Sequence, residues 1–534
     1  MNRALLFVVP AVALSLAACE DEEPLTPTGT GGSGGTTLTT TAGGGGTAGQ
    51  GGTGGQGGSG GQGGSGGQGG SGAQGGSGAQ GGSGGQGGSG GGAPPLPTKA
   101  EAAWSKHFGD DLDQSGSFTA VRANGDVIIA GSVEGTIDLG TGPLPPLGGP
   151  NARESFLASF SADGTALWSK RFVAPTYGFL SGLAISPAGD IVLLGQVNGT
   201  FDLGDTTLMG AGGGSDLFLA SFAAADGTLQ WAKTFGTAES GEGATALAIA
   251  PTGTLFVLGG FDGTTDLGTG PLVSAGEHDL YLAALDPSGD LEWSRSYGGP
   301  GWESPADLAL DAAGNPFLLG TFDTPFSLGP DSLDPAWDYS AFVTRLSPTG
   351  DPVWARPYGI DGTMPPSHQL TVDPDGNVLL AGSFFGEATL GGAPLLSAGG
   401  DFFGDAYLAK WDSAGTHLFS RAYGNLDDQA ITAITTDDTG HLYIAGVFLG
   451  PLDFGSGNLV PSSFFDAFVA RLTPAGDPVW TAQYKTLIGP ADIALGPTGE
   501  LAMTGRLLGE TASFGVGNHA TKGIDAFIVK LLQE

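Results

Sequence analysis

Seven near-copies of one short motif dictate what this chain can fold into. WSKHFG (104–109) and WSRSYG (293–298) are two of them, and their leading aromatic residues stand at 104, 168, 231, 293, 354, 419 and 480. The intervals are 64, 63, 62, 61, 65 and 61 residues, so the chain is an array of equivalent units that bury their apolar faces against each other. Inside each interval three further apolar segments come in fixed order. The first type is LSGLAIS (180–186), ATALAIA (244–250) or PADLALD (305–311). The second is DIVLLGQV (190–197), TLFVLGGF (254–261) or NVLLAGSF (377–384), and the third is DLFLASF (216–222), DLYLAAL (279–285) or DAFVARL (466–472).

All these segments are short, rich in β-branched and aromatic residues, and bounded by Gly, Pro and Asp, which reads as strands. Their apolar positions are successive rather than alternating, so both sheet faces are buried. No crossover helix pattern accompanies them, which excludes a parallel α/β sheet and leaves small sheets stacked around a ring. The joins SPAGD (186–190), DPSGD (286–290) and TPAGD (473–477) each put Gly two places after Pro or another turn residue, the chemistry of a tight antiparallel hairpin. Every second segment carries a glycine at one recurring position: Gly131, Gly195, Gly259, Gly320, Gly382, Gly446 and Gly505. Glycine inside a strand marks a bulge or a close backbone approach.

The chain ends in DAFIVKLLQE (525–534), a third segment with no Trp segment after it, whereas WSKHFG (104–109) has nothing before it to complete. Pairing the two closes the ring. The reading is an all-β, seven-bladed β-propeller of four-stranded blades over residues 99–534, latched by its N- and C-terminal strands. Such closure leaves no strand edge for a partner, and a monomer is expected. These units resemble the seven-bladed propeller repeats of the bacterial SBBP type. The resemblance implies architecture and supplies no catalytic residues. The chain departs from it by an additional element, FDLG (201–204), TDLG (265–268) or LDFG (452–455), between segments two and three.

Residues 1–18 read as a signal peptide, with Arg3 before an apolar stretch. Leu16-Ala17-Ala18-Cys19 resembles a lipoprotein lipobox, which implies cleavage before Cys19 and a lipid on its sulfur. Cys19 is the one cysteine, so no intramolecular disulfide staples the fold. Residues 19–98 read as a disordered Gly/Ser/Gln-rich linker, whose 29–93 core would span about 45 Å as a coil. The expected address is the bacterial cell envelope, lipid-anchored, at the outer membrane or cell surface. The remaining part carries 50 acidic against 17 basic residues, a net charge near −33, which excludes nucleic acid as a partner.

The connections from segment two to three and from the Trp segment to the next unit emerge on one face, which should carry any ligand site. Trp302, Trp337, Phe402, Phe403, Phe464 and Phe465 break the repeat in loops of that face and are candidate contacts for a glycan or protein ligand. The residue opening segment three is acidic in six units: Glu154, Asp216, Asp279, Asp405, Asp466 and Asp525, with Ser340 in the seventh. Because it recurs with the fold, its expected role is to accept backbone N–H groups from its own loop. Asp111, Asp113 and Ser115 imitate the start of a calcium loop, but Arg122 occupies the place of its bidentate glutamate. The histidines at 107, 278, 368, 417, 441 and 519 match no metal or triad spacing. A binding or scaffold module is the resulting expectation. A hydrolase or lyase acting on glycan or ester substrates, and a purely structural surface protein, are the alternatives.

Overall fold

A computed structural model describes residues 100–533 except 150–152, 175–176, 213, 239, 337–339, 361–367, 401–402, 463, 487 and 509–511. Residues 1–18, read above as a signal peptide, Cys19 and the Gly-rich stretch lie outside the described residues, as do Trp337 and Phe402. Every regular element described is a strand. Seven four-stranded antiparallel blades form a β-propeller. The innermost strands are Gln114–Val121, Tyr177–Ile185, Glu242–Ile249, Glu303–Leu310, His368–Val372, Gln429–Thr436 and Pro490–Leu495. The last blade is completed by the first described strand: Ala100–Phe108 pairs antiparallel with Asp525–Gln533, from Ala100 opposite Gln533 to Phe108 opposite Ala526.

The turns follow their chemistry. In Asp286–Asp290 the Asp286 carboxylate accepts the Ser288 and Asp290 N–H groups, and Gly289 takes the left-handed φ of 75° that closes the hairpin. At Gly131, Gly195, Gly259, Gly320, Gly446 and Gly505 the glycine of the second strand is a steric requirement. A Cβ on Gly446 would stand 2.0 Å from the Ala430 carbonyl oxygen and 2.7 Å from the Phe468 ring. The innermost strand bulges there, between Ile431 and Ala433, and presses its backbone onto the glycine.

The core is divided into seven clusters, each drawing on two neighbouring blades. The additional FDLG-type element forms a two-stranded hairpin that serves these clusters. Phe201, on the hairpin of the second blade, lies between Phe172 of the first blade, 6.4 Å away, and Phe218 of its own, 4.6 Å away. Phe454 fills the same cleft between Tyr423 and Phe468, and Phe514 that between Tyr484 and Phe527. Each such ring is a wedge cemented by burial and by tilted aromatic contacts, worth about 1 kcal/mol per pair beyond area.

The leading Trp or the base of the repeated motif ties six of the blades to the next; in the sixth, Ala482 stands in place of the base and the Trp480 Nε1–H has no partner among the described residues. Trp168 donates its Nε1–H to the Ala224 carbonyl, and Trp354 to that of Ser413, both in the outer turn of the following blade. Lys233 pairs with Asp290, Arg295 with Asp351 and Arg421 with Asp477 in the same manner. At the seam Trp104 donates to the Ala162 carbonyl, so the last blade grips the first as the first grips the second and the fourth the fifth.

Candidate functional site

The long connections share one face, and most of its recurring polar groups serve the fold. Asp216 accepts the Ala211 N–H, Asp279 that of Ala275, Asp405 that of Ala398 and Asp466 that of Ser462, while the Ser340 hydroxyl accepts Ala336. Glu154 accepts Leu147 and Gly148 and is paired with the buried Arg171. These six residues cap their own loops, as expected from their periodicity, whereas among the described residues Asp525 accepts no loop N–H and its carboxylate faces His107.

Next to them stands the first residue of the following innermost strand. In four blades this residue is Gln or Glu, and the two differ in how they are satisfied. In Gln114 and Gln429 the side-chain oxygen accepts a loop N–H, from Asp110 and Asn425, and the amide nitrogen donates to the carbonyls of Glu134 and Leu449. Glu242 and Glu303 replace the amide with a fully buried carboxyl. Glu242 accepts the hydroxyls of Ser240 and Thr265. Glu303 accepts only the Gly299 N–H through Oε2, and its Oε1 has no partner among the described residues. Burial, followed by the charges of Asp279 and Asp323, pushes the Glu303 carboxyl up to about 7. Burial and the neighbouring Glu242 push Asp216 up to about 6.

The aromatic candidates separate. Trp302 lies flat on His278, with ring centroids 4.8 Å apart and 10° between planes, and His278 bonds the Glu303 carbonyl. It is part of the junction between the third and fourth blades. Phe464 is 66% exposed and meets Phe465 edge-on at 5.0 Å, and Phe403 is 40% exposed. These three stand in the long loops of the sixth and fifth blades. Leu426, 72% exposed, sits in the connection between those blades on the same face. A lone leucine in a polar loop carries no sequence signal of its own.

Asp111, Asp113 and Ser115 are not gathered into a ligand loop. Ser115 belongs to the innermost strand of the first blade, paired with Ser132, and Asp111 makes a solvated ion pair with Lys522 at 3.6 Å. Among the described residues no group of three or more His, Cys, Asp or Glu is arranged to hold a metal.

Two carboxylates join neighbouring innermost strands. Asp307 accepts the Leu370 N–H at 2.7 Å, and Asp492 accepts that of Thr119 at 2.8 Å. Burial pushes them up to about 6 and about 7, and the Asp307 charge adds to the shift of Asp492.

The latch holds a constellation that histidine spacing did not announce. His519 Nε2 lies 2.7 Å from the Ser105 hydroxyl, and its Nδ1 lies 2.9 Å from Nδ1 of His107, 412 residues away in sequence. His107 Nε2 stands 3.7 Å from Asp525. The Ser105 hydroxyl belongs to a series. Ser169 bonds Thr141, Ser294 bonds Thr269 and Thr481 bonds Ser456, each fastening an outer strand to its hairpin. At the seam Ser105 donates to the Val516 carbonyl of its hairpin at 2.9 Å, and in this set it alone has an imidazole, His519, as a further partner.

No family model matches the chain, and no curated protein matches it. Among solved structures it is similar to a quinohemoprotein alcohol dehydrogenase from Comamonas testosteroni, at 12% identity over 81% of this chain and 76% of that one, with a TM-score of 0.38. It is similar to a protein of unknown function from Dyadobacter fermentans at 9% identity, over 82% and 99% of the two chains, with a TM-score of 0.38. An ulvan lyase of a new polysaccharide lyase family has 8% identity over 75% and 93%, with a TM-score of 0.38. Likeness at this level carries no functional argument.

Proposed function

We propose that this chain is a lipid-anchored cell-envelope protein whose propeller presents its long-loop face as a binding surface. One observation carries the reading. The recurring aromatic positions of the repeat are buried or packed between blades, whereas Phe464 projects at 66% exposure beside Phe465, with Phe403 and Leu426 exposed on the same face of the adjoining blade and connection. The lipobox-like Leu16–Cys19 segment and the Gly-rich linker support display of this face away from a membrane. A strongly acidic surface with exposed flat rings suits a neutral or cationic glycan, or a basic peptide, better than an anionic ligand.

The test is calorimetric titration with neutral oligosaccharides, amino-sugar oligomers and basic peptides, comparing the native chain with Phe464→Ala. Binding that weakens about tenfold in the variant, at an unchanged melting temperature, supports the proposal. A native chain that binds none of these classes, or binds equally well without the ring, overturns it.

A further inference from the structure

The hairpins of the first six blades place leucine at one register position: Leu144, Leu208, Leu272, Leu333, Leu395 and Leu459. In the last blade the same position, opposite Ala512, is His519. The ring is 8% exposed and packs on Phe514, as a leucine would, yet it carries two nitrogens that need partners. It finds them on the strand that closes the propeller, at Ser105 and His107. We propose that His107 and His519 form a proton-gated clasp: their neutral rings hold Ala100–Phe108 on the last blade, and acid releases it.

The geometry sets the gate. Two Nδ1 atoms 2.9 Å apart make a hydrogen bond only while one carries a proton and the other does not. Once both rings are charged, both nitrogens are donors, and two cations stand with ring centroids 4.9 Å apart. The groups facing the pair are the Ser105 hydroxyl, the Ala520 carbonyl, the Phe514 ring and the Asp525 carboxylate, with Asp110 behind the last. Burial holds both histidines below their usual range, and His107 lowers His519 further. Asp525 does not rescue them. Burial and Asp110 raise it to about 6, so its charge fades as pH falls through that value.

The direction follows from linkage. A histidine lowered in the folded state contributes fully above its unfolded value of about 6.5, and that contribution is lost as pH falls. Asp525, being raised, works in the opposite sense between about 4 and 6, as one group against two. The site of action is the one blade whose outer strand comes from the far end of the chain. Opening there uncovers Asp525–Gln533 as an unpaired edge.

Hydrogen exchange on the full chain tests this, with protection of Ala100–Phe108 measured relative to Leu442–Phe448 after correction for intrinsic exchange. The ratio should fall about tenfold or more between pH 7.5 and 5. His519→Leu installs the residue of the sister hairpins. His107→Gln installs the residue found at Gln483, which bonds the Val460 carbonyl in the sixth blade. Either variant should flatten the pH response. A native ratio that stays constant across this range, or a response that persists in both variants, overturns the clasp.

Discussion

Replacing Glu303 by glutamine should stabilise this protein, and only on the alkaline side. Glu303 opens the innermost strand of the fourth blade at the position that is Gln114 in the first and Gln429 in the sixth, by the same register against the end of the second strand. Both glutamines donate to the first carbonyl beyond that strand, Glu134 or Leu449. The register puts the Asp323 carbonyl in the matching place for Glu303. A carboxylate has no proton to give it, and Oε1 is left bare in a fully buried residue. The native state therefore keeps the acid protonated, with its titration raised from 4.5 to about 7. Since the fold binds this proton more tightly than the unfolded chain, stability falls as pH rises from about 4.5 to 7. Complete ionisation costs about 3 kcal/mol. Glutamine imitates the protonated acid at every pH. Thermal melts of Glu303→Gln and the native chain should coincide near pH 4.5 and diverge to a gain of roughly 3–6 °C at pH 8. An offset that does not change with pH, or a variant less stable at pH 8, would refute the reasoning.

Gly446→Ala forces a Cβ against the Ala430 carbonyl and the Phe468 ring and should cost about 3 kcal/mol in a denaturant titration. Lys410→Ala strands the buried Asp373, now paired at 2.8 Å, and should cost about 3–5 kcal/mol by the same measurement. Deleting residues 99–109 leaves the Asp525–Gln533 edge open, so the product should melt lower and self-associate in sizing chromatography. Cys19→Ser should shift the protein from membrane to soluble fractions; retention on membranes would sink the lipid anchor.

The architecture was legible because each letter of the repeat performs a separate mechanical task. In the Trp–x–base–x–aromatic motif, the Trp and the base reach forward to the next blade's turn, as Trp354 reaches Ser413 and Arg295 reaches Asp351. The final aromatic receives the wedge of the following hairpin, as Tyr423 receives Phe454. The glycine of the second strand admits the inner bulge. The orphan first copy pointed to the seam. The purpose of the FDLG element was not legible, because Phe201 and Phe172 lie in different units and their contact is made only by ring curvature. For the same reason the stack of Trp302 on His278 was not legible.

The seam shows how a repeat both hides and reveals function. His107 and His519 are far apart in sequence, and each alone is a scattered histidine. Alignment by strand register, rather than by spacing, sets His519 in a column of six leucines and gives it a partner on the strand that the orphan motif had already assigned to the last blade. In a ring of equivalent blades, sequence selects a residue at a recurring position for packing unless something local opposes it. Leucine satisfies this position wherever the outer strand follows its hairpin within the same unit of the chain. It was exchanged for an ionisable ring at the one blade whose outer strand is not so tethered. A packing argument alone favours leucine there too, since burying an imidazole with lowered basicity weakens the latch in acid. The polar pair therefore has to be explained by what it does to the closing strand, which is to make its grip depend on protons.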